Sequence, residues 1–333
     1  MMKILIISNQ ISSIPNSNNN PVIKNLYICL TNQGIEVELL PVDLKKYGFF
    51  AYFILVYDLF MIRFSKKNMD YNLFHVHFGG VQSLIAALIC PKKTIVSFHG
   101  TDLHGGSPMT IRGRLKSKLS VTCSILSARI IPSSTVVSES LKSFLPRSIH
   151  RKVYTITTGV DFEKFYPINK DKALSKLSLN ERFKYVLFSN IGNSKIKRKD
   201  IAEKVIDLLN QSCISFEYKM LEMSGVSPDV VPFYINASDF VLLVSDNEGS
   251  PNIVKESLAC GVPIYSVDVG DVKDFIKQEP DCLVLDSQNP NEIASQIINK
   301  IKENRVGVNV DFWRGVISQS IISKQYIKIY NEI

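Results

Sequence analysis

No stretch of this sequence is long and apolar enough to cross a bilayer. The longest apolar run, FFAYFILVYDLFMI at Phe49–Ile62, has 14 residues and is interrupted by Asp58, where a span needs about 20. The opening residues MMKILIIS lack the charged region, long apolar stretch and small-residue cleavage site of a secretory signal and read as a first strand, so the expected compartment is the cytoplasm. Six cysteines, at positions 29, 90, 123, 213, 260 and 282, include no C-x-x-C pair, and most lie in apolar surroundings as buried reduced thiols do. His75 and His77 alternate onto one strand face, but two histidines without a nearby third ligand fall short of a usual zinc set, and no metal is expected. Helix-turn-helix, zinc-finger and RNP-type motifs are missing, so nucleic acid is not an expected partner. No repeat of solenoid length is visible.

What is present fits two domains. At 333 residues and 45% hydrophobic content the chain can bury two cores, at about 150 residues per domain. Charge is unevenly divided. Residues 1–167 hold 19 Lys and Arg against 9 Asp and Glu, net +10, and residues 168–333 hold 20 against 22, net −2. A basic half suits anionic headgroups or a pyrophosphate-linked acceptor. The Phe49–Ile62 run, flanked by Lys45, Lys46, Arg63, Lys66 and Lys67, is read first as a buried helix, with a segment at the membrane interface as the alternative.

Strand-like runs alternate with helix-like segments twice over. In the first half they fall at 3–7, 35–40, 73–77, 94–98, 129–132 and 153–156, and in the second at 184–188, 216–220, 239–244, 262–266 and 282–285. The expected fold is therefore α/β with two doubly wound, Rossmann-like domains. A first domain is expected over 1–165 and a second over 166–310, with the crossing in the stretch from Thr158 to about Glu181. Residues 311–333 read as one amphipathic helix.

The most informative segment is EGSPNIVKESLACG, Glu248–Gly261. A short apolar strand, Val241–Val244, ends at Ser245-Asp246-Asn247, after which Ser250 suits a helix N-cap, Pro251 its first turn and Gly261 the left-handed residue past its end. The amides of Asn252, Ile253 and Val254 would then face the carboxyl ends of the strands, where a helix dipole favours phosphate, with Glu248 and Glu256 flanking the spot. Either acid alone could be a plain dipole partner, worth about 0.3–1 kcal/mol. Together, Glu-x7-Glu enclosing Gly249, Ser250, Pro251 and Asn252 resembles the donor-site motif of retaining glycosyltransferases of the GT-B fold, family 4, and most nearly those that build bacterial surface polysaccharide.

The resemblance implies roles for further residues. His99-Gly-Thr-Asp102 follows the strand TIVSF and is similar to the family's His-Gly-x-Asp loop, in which His99 would bond a donor-sugar hydroxyl and Asp102 would orient the loop. The stretch Asn190–Asp200 resembles the loop carrying an Arg and then a Lys for the diphosphate. Lys199 matches the lysine, whereas Asn193 stands where the arginine would be, leaving Lys195, Lys197 or Arg198 to substitute. A Gly-Gly pair common after the first strand is absent from Ser8–Pro21, which carries Asn18, Asn19 and Asn20 instead. Family members carry a Gly-Val-Asp-x-x-x-Phe stretch like that at 159–165, and their last helix packs back on the first domain.

The implied reaction moves a sugar from a nucleoside diphosphate, with UDP the expected nucleotide, to a hydroxyl of a glycan or lipid-linked acceptor. Configuration is retained, no divalent metal is used and no cofactor is needed beyond the donor itself. Glu248 would contact the sugar and Glu256 the ribose, with the leaving phosphate taking the acceptor proton. The expected location is the cytoplasm, with peripheral contact at the inner membrane. A non-catalytic partner protein of the same fold, a nucleotide-sugar epimerase and a nucleic-acid binder are the rival readings.

Overall fold

The computed structural model describes residues 2–11, 20–64, 71–106, 110–191, 194–212, 216–303 and 305–333. The chain forms two compact units, one of residues 1–159 and 319–333 and the other of residues 160–318. Each is built on a parallel sheet whose inner strands are buried on both faces, which is why so many of them read as continuous apolar runs.

Unit 1 runs β1 (Lys3–Ser8), α1 (Pro21–Asn32), β2 (Glu36–Pro41), α2 (Leu44–Tyr47), α3 (Phe50–Phe64), β3 (Leu73–His77), α4 (Val81–Ile89), β4 (Thr94–Phe98), α5 (Thr101–His104), α6 (Ile111–Ile130), β5 (Ser133–Val136), α7 (Glu139–Lys142) and β6 (Val153–Thr155). Its sheet order is β2-β1-β3-β4-β5-β6. One core cluster, around Leu55, Leu59, Phe74, Val96 and Phe98, lies under α3 and α4; the other, around Ile4, Ile6 and Ile23, takes α1 and the end of the chain.

Unit 2 runs α8 (Lys170–Lys176), β7 (Lys184–Ser189), α9 (Ser194–Lys197), α10 (Lys199–Gln211), β8 (Tyr218–Met223), α11 (Val231–Asn236), β9 (Phe240–Leu243), α12 (Asn252–Cys260), β10 (Ile264–Val267), α13 (Val272–Ile276), β11 (Leu283–Leu285), α14 (Pro290–Ile301) and α15 (Val310–Ile317). Its order, β11-β10-β9-β7-β8, reverses direction between β7 and β9. Ligands of open α/β sheets bind at such a reversal, outside the carboxyl ends of the strands. The last helix, α16 (Gln319–Tyr330), returns to unit 1 and buries Ile322, Tyr326, Ile329 and Tyr330 there.

Three expectations need correction. The single helix expected over 311–333 is two, α15 and α16, because Ser318 is extended (φ −62°, ψ 147°) where the chain leaves unit 2. The strand expected at 129–132 is displaced: α6 continues to Ile130 and β5 starts at Ser133. β5 is polar in sequence, yet the Thr135 hydroxyl pairs with that of Ser97 at 2.6 Å, so the strand can be buried. The Phe49–Ile62 helix is not buried: α3 covers Ala51, Leu55 and Leu59 on one face and leaves the opposite face open. Residues 12–19, with Asn18 and Asn19, lie outside the described residues, as do Lys66, Lys67, Asn193 and Cys213. Asn20 is the N-cap of α1, its side chain accepting from the Val22 amide at 3.0 Å.

Candidate functional site

At the reversal point of unit 2, the loops after β7 and β9 are tied together. The Asp246 amide donates to the Ile196 carbonyl at 2.9 Å, and Lys197 Nζ donates to Glu248 Oε1 at 2.6 Å. Both side chains of that ion pair are largely buried, 13% and 14% exposed, so the pair is more than a loose surface contact. Arg198, held in the left-handed region (φ 55°), bridges Asp200 and Asp246 at 2.9 and 3.0 Å. Lys199 opens α10 and pairs with Glu222 at 2.6 Å and Glu203 at 3.7 Å. Glu222 sits on β8, which flanks β7 on the side away from β9. The cation beside Glu248 is thus Lys197, named from sequence only as a substitute.

Helix α12 begins at Asn252, with Pro251 and not Ser250 in the N-cap position. Ser250 is diverted. Its hydroxyl donates to Asp271 Oδ2 at 2.6 Å and accepts from Lys255 Nζ at 2.5 Å. Of the three amides expected at the helix tip, that of Val254 donates to the Pro251 carbonyl at 3.2 Å. Gly261 is left-handed at the far end (φ 74°), as expected.

Beneath the Glu248–Ser250 loop lies a buried polar group that the sequence reading missed. Lys255 is fully buried, and desolvation brings its ammonium down to about 8, with Asp271 and Glu256 opposing. Asp271 is pushed up by burial, countered by Lys255 and the Ser250 bond. Gly270, just before it, has φ +61°, and a Cβ there would lie 2.5 Å from the Gly249 carbonyl oxygen. The usable signal was Val269-Gly270-Asp271, one residue past the end of β10: a turn glycine followed by an acid near the carboxyl end of a strand. Glu256, one turn into α12, is pushed up to about 7 by desolvation, against the pull of Lys255 and Lys164.

Unit 1 carries its own cluster where β3 and β4 end. Asp102 accepts from the amides of Gly79 (2.9 Å), His99 (3.1 Å) and Gly100 (2.8 Å), and so fixes both loops, the orienting role expected of it. The His99 ring stacks on Phe78, centroids 4.2 Å apart, and its Nε2 lies 3.2 Å from His77 Nδ1. Phe78 has φ +63°, a strained backbone for a bulky residue and of a kind that gathers at functional sites. His75 bonds the Tyr330 hydroxyl and Ser97 Oγ, each at 2.7 Å. Burial drives His75 down to about 3 and His77 well below the ordinary range, so both are neutral at pH 7. Among the described residues His77 Nε2 has no hydrogen-bond partner, and His77 lines a cavity with Thr158, Gln319 and Tyr326 that has about 20 Å³ of room, enough for one water. Among the described residues, no group of three or more His, Cys, Asp or Glu is placed to hold a metal ion.

Residues 180–303 match the family model for glycosyl transferases group 1. The chain is 22% identical, over 269 residues, to the uncharacterised glycosyltransferase MJ1178 of Methanocaldococcus jannaschii, covering 79% of this chain and 74% of that one. Among solved structures it is similar to sucrose-phosphate synthase from Thermosynechococcus elongatus, with TM-score 0.75, 14% identity and coverage of 100% and 99% of the two chains. It is likewise similar to HepE of Anabaena, solved in complex with UDP, with TM-score 0.71, 14% identity and full coverage of both. The fold is GT-B: two Rossmann-like units on parallel sheets.

Proposed function

We propose that this chain is a retaining, metal-independent glycosyltransferase of family 4. It moves a sugar from a nucleoside diphosphate, UDP in the first instance, to a hydroxyl of a glycan or lipid-linked acceptor in bacterial surface-polysaccharide synthesis. The observation that carries the reading is the set of groups at the reversal point of unit 2: Glu248 paired with Lys197, the N-terminus of α12, and Glu256 one turn further on. The match of residues 180–303 to glycosyl transferases group 1 supports it, as do the UDP and UDP-glucose complexes of HepE.

In this reading the α12 dipole and Lys197 stabilise the departing diphosphate, as preorganised charge does in electrostatic catalysis. Lys197 is neutralised by Glu248 until the donor arrives; a diphosphate would then share the ammonium and leave Glu248 to accept from sugar hydroxyls. Glu256 takes the ribose diol. His99, its ring fixed by Phe78 and His77, bonds a sugar hydroxyl.

A thermal-shift panel of UDP, GDP, ADP and TDP, with and without EDTA, tests the reading. Selective stabilisation by one nucleotide, unchanged by EDTA and lost in Glu256→Ala, is expected. No shift from any of the four would sink it. Retention is checked separately by NMR of the anomeric centre of the product.

A further inference from the structure

The most conspicuous surface of unit 1 holds none of the residues assigned to sugar transfer above. Helix α3 turns Phe50 (73% exposed), Phe53, Ile54, Tyr57, Phe60, Met61 and Phe64 outward, at steps of three and four residues that form one stripe. Its buried residues, Ala51, Leu55 and Leu59, face the other way. Soluble proteins rarely leave so many contiguous large apolar side chains in water without a use for them. α3 packs against α4, and α4 against α6. Leu88 of α4 is exposed, and the first half of α6 shows a second stripe, Ile111 (78% exposed), Leu115 and Leu119, interleaved with exposed Arg112, Lys116 and Lys118.

We propose that the outer face of α3, α4 and α6 is an interfacial surface that seats on an anionic lipid bilayer. Charge decides among the occupants. Residues 44–130 contain 12 Lys and Arg but only three Asp and no Glu, and one of the three, Asp102, is buried on backbone amides. A second copy would bring the same cations to the contact and be repelled, whereas a bilayer offers both an apolar layer for the phenylalanines and phosphate charge for the cations. The aromatic composition fits as well, because such rings settle at the headgroup boundary. Among the described residues no helix is long and apolar enough to cross, so the contact is with one leaflet. The flotation test of this surface does not require the transfer reaction. α4 follows β3 directly, while α3 follows β2 and α6 follows β4 after the short helices α2 and α5, so all three lie on connections that leave the carboxyl end of the sheet, the end that carries His99.

The test is flotation of the full chain with vesicles of phosphatidylcholine alone or mixed with phosphatidylglycerol. The protein should float with the mixed vesicles, far less with the neutral ones, and less again as salt rises. Phe50→Ser/Phe53→Ser/Phe60→Ser removes exposed side chains and should lower partition at least about tenfold with an unchanged melting temperature. Arg112→Glu/Lys116→Glu/Lys118→Glu should abolish the preference for anionic vesicles, each cation contributing about fivefold. Wild type that ignores anionic vesicles, or two variants that float as well as wild type, would overturn the proposal. A dimer in sedimentation that the phenylalanine variant dissolves, without vesicle binding, would overturn it in favour of a self-interface.

Discussion

At the scale of the residue, Lys197 and Lys199 are two positions apart and face different neighbours. Lys197 turns toward Glu248 at the reversal point, and Lys199 turns toward Glu222 on β8. Spacing favoured Lys199, because a motif fixes the distance from a strand end but not the side of that strand on which a side chain falls. The placement of Glu248, Glu256 and His99 just past a strand end or inside α12 was legible, since each stands at a fixed offset from an apolar run or a glycine. Lys255 was not: a lysine inside a helix normally reads as solvated, and only the fold shows it fully buried with Ser250 and Asp271. If Lys197 is the diphosphate cation, Lys197→Met should weaken nucleotide binding by at least about tenfold, the scale of a charge-assisted hydrogen bond. Lys199→Met should cost about threefold or less, as a residue already satisfied at a surface pair. Calorimetric titration with UDP separates the two, and equal losses would return Lys199 to the site. Glu256 adds a pH dependence. Its carboxyl, raised to about 7, must be ionised to accept two ribose hydroxyls. Nucleotide affinity should therefore hold above pH 7 and fall, by up to about tenfold per unit, as pH drops below it. Glu256→Gln should bind weakly at every pH and lose the slope.

Among the elements, the loops after β9 and β10 behave as one piece. Gly270 lets its backbone approach the Gly249 carbonyl, and the Ser250–Asp271–Lys255 chain ties both loops to α12. Gly270→Ala would place a Cβ 2.5 Å from a backbone oxygen at a φ of +61°, so the Glu248–Ser250 loop must shift. A stability loss of about 2–4 kcal/mol is expected from strain and close contact together. UDP binding should fall alongside it, read by denaturant melts and titration on the same samples; a destabilised variant with intact binding would show that the loop does not need its neighbour. The sequence showed the α12 punctuation at Gly261 but mistook Ser250 for the cap. A serine before a helix normally turns its oxygen to the helix amides. Here a buried lysine and a buried aspartate compete for that hydroxyl and win.

For the whole molecule, alternation of strand and helix was enough to show two doubly wound units, because parallel strands covered on both faces leave long apolar runs. The return of the last helix to unit 1 was implied by the family resemblance, but the point at which the chain crosses was not legible. α15 and α16 share an amphipathic pattern in sequence, and only the extended Ser318 between them separates a helix of unit 2 from a helix of unit 1. Unit 1 is therefore closed by residues far from the rest of it in sequence. Ile322, Tyr326, Ile329 and Tyr330 complete its second core, and Tyr330 bonds the buried His75. Burying a large apolar side chain is worth about 1.5–3 kcal/mol, so the four together contribute roughly 6–12 kcal/mol. That is comparable with the whole stability of an ordinary domain, about 5–15 kcal/mol. Removing residues 319–333 should accordingly abolish the cooperative unfolding of unit 1, while a fragment of residues 160–318, which keeps its own two core clusters, still melts as a unit. Scanning calorimetry of both chains reads the outcome. If the truncated chain kept two transitions, α16 would be an accessory of unit 1; if the fragment failed to fold, unit 2 would depend on unit 1 for its stability.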